Sequence, residues 1–114
     1  IAQLGIATSV ETSLVARRAS AERVGLRVRA LAGRQPCHVF SEVNYPIMSY
    51  AAGCRGTQVG KVLRWDERAE RLEDGGIRPF LVLYGAAERE VSGATLLAVV
   101  PSDDQTRWFI YGYG

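Results

Sequence analysis

One histidine and two cysteines, with no CxxC or HxxxH spacing among them, leave little from which to build a metal centre. Zinc needs about four nitrogen, sulfur or oxygen ligands. Cys37, His38, Glu42 and Cys54 assemble such a set only on paper, so neither a metal nor a cofactor is expected. Long apolar runs are missing too. The longest, Ala94–Val100, is far shorter than the roughly twenty residues that span a bilayer as a helix, so no transmembrane segment is expected. There are no internal repeats, no low-complexity tract and no linker, which makes residues 1–114 a single domain. The chain begins at Ile1 without an initiator methionine, which reads as a processed or trimmed product whose upstream signal or anchor would be invisible.

Charge of one sign is lacking as well. The net charge is only +2, so no strong global field points to nucleic acid. The distribution is less even. Six arginines face two glutamates between Glu11 and Arg34, while seven acids face four arginines between Asp66 and Glu90. Such a division steers a partner or favours self-association, or simply makes two solvated faces. Arginine outnumbers lysine thirteen to one (Lys61), the usage of a high-GC bacterial genome.

What is present is a soluble globular composition, 47% hydrophobic and 23% charged. Residues 13–32 carry the clearest helix. Leu14, Ala21, Val24, Val28 and Leu31 recur on one stripe, Thr12 or Ser13 caps the start, and Gly33 and Pro36 close the end. Gly25 inside it suggests close approach to a sheet. Ile1–Val10 alternates as a first strand, or else leads into a helix. Cys37–Val43, Ile47–Ala52, Thr57–Trp65 and Ile77–Ala87 read as strands, with Pro79 marking an edge or a strand start. Asp66–Asp74 is either a short helix or a hairpin arm. Ala94–Val100 and Arg107–Tyr113 flank a dense turn and form a hairpin, and the first arm is apolar enough to belong in the middle of a sheet. The expected fold is therefore α+β: one long N-terminal helix packed on a mainly antiparallel sheet of about four to six strands.

Gly56-Thr-Gln-Val-Gly60-Lys61 superficially suggests a phosphate loop. It has one residue too few between the glycines, no Ser or Thr after the lysine, and leads into a strand pattern. Asp103 and Asp104 sit in a turn whose composition needs no ligand. His38 and Glu42, on one face of a strand with Phe40, are the candidates for acid–base chemistry. Cys37 beside His38 makes no catalytic pair, because neighbouring strand residues point to opposite faces. Cys37 and Cys54 are the candidate disulfide, which would place the chain in a periplasmic or secreted compartment. Arg107, Phe109, Tyr111 and Tyr113 on the last strand, with Arg18 and Arg29 on the helix, are the candidate binding residues.

These features favour a non-enzymatic binding or assembly domain, extracytoplasmic and self-associating, with a protein partner or a second copy. The alternative is a small-ligand pocket or small lyase, isomerase or hydrolase with its site between helix and curved sheet. Nucleic-acid binding is the third reading.

Overall fold

A computed structural model describes residues 19–42, 45–58, 65–102 and 105–114. Helix α1 covers residues 19–32. It is followed by β1 (Cys37–Ser41), α2 (Tyr45–Ala52), β2 (Arg55–Gln58), α3 (Trp65–Asp74), β3 (Arg78–Gly85), β4 (Ala94–Pro101) and β5 (Arg107–Tyr113). The five strands form one sheet in the order β2-β1-β3-β5-β4. β1 runs parallel to both β2 and β3, whereas β5 is antiparallel to β3 and β4.

The class is α+β, but two expectations are corrected. The sheet is mixed, because β1-α2-β2 and β2-α3-β3 are crossover units that return the chain in the same direction. Among the described residues the helical part is three helices rather than one long one, with α1 described over residues 19–32. Residues 13–18, and the strand expected over Ile1–Val10, lie outside the described residues.

Alternation along the central strands builds two cores. Val39, Phe80, Val82, Trp108 and Ile110 point to one side of the sheet and pack with Ala21, Val24 and Val28 of α1 and Met48 and Ala52 of α2. Phe40, Leu81, Leu83, Phe109 and Tyr111 point to the other side and pack with Trp65 and Ala69 of α3. The run Phe80–Leu83 is apolar at every position because β3 is covered on both faces. α2 and α3 lie on opposite faces while their crossovers run in opposite directions across the sheet, so the two units share one hand.

α2 replaces the strand expected over Ile47–Ala52. Pro46 suits the first helical turn, where its missing N–H costs nothing. Gly53, with φ of 67°, closes the helix; its N–H donates to the Tyr50 carbonyl (3.1 Å) and the Cys54 N–H donates to the Ser49 carbonyl (2.9 Å). This glycine-terminated pairing satisfies two carbonyls that the helix leaves open. α3 ends the same way at Gly76, where the Ile77 N–H donates to the Leu72 carbonyl at 2.8 Å. That settles Asp66–Asp74 as helix.

Two further placements differ from expectation. Ala94–Val100 was expected in the middle of the sheet, yet β4 is an edge strand whose burial alternates. Its apolar residues do reach both cores, Leu96 on one side and Ala98 and Val100 on the other, across a register shift between Leu96 and Ala98. Gly25 approaches α2, not the sheet. A Cβ there would lie 2.5 Å from the Met48 carbonyl oxygen and 2.6 Å from the Ala51 Cβ.

Candidate functional site

Cys37 and Cys54 form a disulfide with Cα atoms 4.8 Å apart. They immediately precede the register pair His38–Arg55, so the bond clamps the start of β1 to the start of its parallel neighbour β2. The bridge thus spans a crossover, not a hairpin.

Arg29 lies over this clamp. Its Nε donates to the Ala52 carbonyl at 2.7 Å, one terminal nitrogen donates to the Gly33 carbonyl at 2.8 Å, and the other contacts the Cys37 Sγ at 2.7 Å. A guanidinium at the C-terminal ends of α1 and α2 meets the negative poles of both helix dipoles. Arg78 adds a bond from a terminal nitrogen to the Leu31 carbonyl at 2.7 Å. Arg29 is therefore engaged with the protein's own backbone and sulfur. Arg18, the other helix arginine singled out, lies outside the described residues.

His38 and Phe40 share the α3 side of β1, as the strand period requires, whereas Glu42 lies just past the end of the strand. The His38 ring stacks on Phe40, with centroids 4.5 Å apart, and its Nε2 lies 2.7 Å from the Thr57 Oγ1 on β2. Burial, reinforced by the nearby Arg55 guanidinium, lowers its pKa below 6.5 and favours the neutral ring. Glu42 instead pairs with Arg89, at 3.1 Å. The structure gives each its own partner and does not bring them together.

The last strand divides. Trp108 and Ile110 fill the core beneath α1 and α2; Phe109 and Tyr111 fill the one beneath α3. The Trp108 Nε1 donates to the buried Ser20 hydroxyl at 3.0 Å, tying α1 to β5. The Tyr111 hydroxyl donates to the Arg89 carbonyl at 2.7 Å, and burial, with the Glu88 carboxylate nearby, raises its pKa. Of the four binding candidates on this strand, only Arg107 and Tyr113 reach solvent. Asp103 and Asp104 lie outside the described residues, as does the part of the glycine–lysine segment from residue 59 onward. Among the described residues no cluster of three His, Cys, Asp or Glu side chains converges on a metal position. Nor is any described helix long and apolar enough to cross a membrane.

One feature escaped sequence reading. A groove of about 630 Å³ opens between α1 and α2, lined by Glu22, Leu26, Pro46, Ile47, Tyr50 and Ala51. Leu26 is 62% exposed at its rim and Tyr50 is 91% exposed. Reading residues 47–52 as a strand hid it; proline in the first turn and glycine after the last were the signals for the helix. Neither His38 nor Glu42 lines this groove. Comparison with protein-family models, with curated proteins and with solved structures finds no match, so the functional reading rests on the geometry of this chain.

Proposed function

We propose that the chain is a binding and assembly domain of an oxidising, extracytoplasmic compartment, acting by self-association without chemistry of its own. The observation that carries this reading is the apolar surface left after both cores are filled. Among the described residues Leu26, Tyr50, Leu97, Val99 and Tyr113 are large hydrophobic side chains that stay exposed. Two border the α1–α2 groove; the other three lie on β4 and at the end of β5. Exposed apolar area of this kind marks interaction surfaces. The disulfide supports the compartment, because such bonds persist where thiols are not kept reduced. The engagement of Arg29, His38 and Glu42 with partners inside the fold supports a structural role for each. Molar mass by light scattering, from micromolar to millimolar chain, tests the reading. The mass should rise above the 12.5 kDa of one chain, and a constant mass throughout would refute it.

The groove favours a second reading, a site for a small apolar ligand. Its volume falls within the usual range for such sites, and most of its lining residues are apolar. Saturable fluorescence enhancement of anilinonaphthalene sulfonate, lost in Leu26→Glu, is the expected result; enhancement unaffected by that change would discard the groove as the site.

A further inference from the structure

A guanidinium carries five N–H groups, and those of Arg29 all point into the fold. Nε donates to the Ala52 carbonyl. One terminal nitrogen serves the carbonyls of Gly33 (2.8 Å) and Gln35 (3.3 Å). The other faces the Cys37 Sγ at 2.7 Å and the Cys54 Sγ at 3.9 Å. Its partners are thus three neutral carbonyls and two disulfide sulfurs. No N–H is left over for a carboxylate, and the half-buried positive charge has no bonded anion.

The surroundings repeat that sign. Arg78 on β3 is the register partner of Cys37, and Arg34 and Arg55 stand close to the two cysteines in sequence. α2, which packs on β1 and β2, carries no charge. On α1, β1, β2 and β3 the one described acid is Glu22, about two turns before Arg29. His38 stacks on Phe40 at the α3 face, away from the bond.

We infer that the Cys37–Cys54 bond is a reducible clamp, opened by a dithiol, with Cys37 leaving as a thiolate held by Arg29. The inference goes beyond self-association, which does not require it. A disulfide sulfur is a weak neutral acceptor, whereas a thiolate is an anion and bonds a guanidinium far more strongly. Burial opposes a thiolate, and Cys37 is only 5% exposed. The site already holds a cation, however. A thiolate turns it into a neutral pair, while a thiol leaves the charge uncompensated. Thiols beside a cation ionise at about pH 3.5–7.5, against about 8.5 for a free cysteine.

The two sulfurs differ. The Cys54 Sγ lies 3.8 Å from the Ala52 carbonyl oxygen, an acceptor that suits a protonated thiol, and Cys54 is the less buried cysteine. A thiolate of the dithiol attacks the Cys54 Sγ. The S–S bond breaks and its electron pair leaves on the Cys37 Sγ beside Arg29, a step that a low leaving-group pKa speeds. The dithiol's second thiolate then attacks its own sulfur in the mixed disulfide. That closes the dithiol's disulfide and expels Cys54, which takes up a proton. Two electrons pass to the protein, and one of the dithiol's two protons goes to solvent because Cys37 keeps none.

Equilibration in mixtures of reduced and oxidised dithiothreitol, quenched by alkylation and read by intact mass, tests this. Release of a proton makes reduction more favourable as pH rises. The wild-type equilibrium constant should increase on the order of tenfold or more from pH 6 to pH 8. Two ordinary thiols at about 8.5 would change it less than about twofold. Arg29→Gln should flatten the profile, and Arg29→Lys, which keeps a cation without the planar fork, should retain part of the slope. In Cys54→Ala, ultraviolet thiolate absorbance should place the Cys37 pKa below about 7.5, a measurement that stands even if the Arg29 variants fail to fold. A flat wild-type profile, or a Cys37 pKa at or above about 8.5, overturns the inference. So does an undiminished slope in Arg29→Gln. Light scattering reads self-association separately, so a chain monomeric throughout leaves the clamp standing.

Discussion

Gly25 and His38 show how single residues carry constraints that arise only from neighbours distant in sequence. Gly25 is where α1 meets α2, and a methyl there would press on a backbone carbonyl that cannot swing aside. Replacing a helical glycine with alanine normally gains about 1 kcal/mol. Overpacking against fixed backbone costs about 1–3 kcal/mol. The clash should win, and Gly25→Ala should lower stability by about 1 kcal/mol in urea denaturation; an increase would mean the helices part without cost. At His38 the folded pKa lies below the unfolded value of 6.5. Below that value the unfolded chain binds a proton that the folded chain resists, so the contribution is complete above pH 6.5 and is lost as pH falls through the lower folded pKa. The wild type should lose stability on acidification through this window. His38→Gln, which keeps a hydrogen-bonding group near Thr57, should flatten that part of the profile. The sequence marked His38 only as the lone titrating side chain near neutrality. Its Thr57 partner is nineteen positions away and becomes visible only once β1 and β2 are neighbours.

Among the elements, those with strong local punctuation were legible. The end of α1 at Gly33 and the β4–β5 hairpin fall where periodicity and turn residues place them. α2 did not, because eight residues with two tyrosines, an isoleucine and a methionine satisfy a strand pattern as well as a helical one. The disulfide is the device that secures this short helix between its strands. It closes a sequence separation of 17, for which loop closure predicts about 3 kcal/mol. Reduction, or the paired change Cys37→Ala with Cys54→Ala, should lower unfolding free energy by about that amount. Because loop closure acts on the denatured chain, the most protected amides of all elements should gain exchange alike. A gain confined to α2 and β2 would place the effect in local opening of the folded chain instead.

Across the whole molecule, two cores share the three central strands β1, β3 and β5. Each contains one of the chain's two tryptophans, Trp108 beneath α1 and α2 and Trp65 beneath α3. Because Val82 and Leu83 serve opposite cores from adjacent positions, neither layer can come apart without disturbing the strand that supports the other. Unfolding of Trp65→Phe, followed by Trp108, and of Trp108→Phe, followed by Trp65, should each coincide with its backbone circular-dichroism transition. A fluorescence transition displaced from the dichroism curve would reveal two separable layers.

By itself the sequence determined the class of fold, the hairpin, the helix end, the candidate disulfide pair and the division of charge along the chain. Each of these is written in residues close together in sequence, or in composition. Tertiary structure decided strand order and direction, the placement of β4 at the edge, the burial of Phe109 and Tyr111, and the separation of His38 from Glu42. These depend on which strand lies beside which, a choice made by packing helices against both faces of one sheet. Period-two alternation states only that a strand has two faces. What covers each face, and whether an edge is left open, is fixed by crossover connections between residues far apart in the chain.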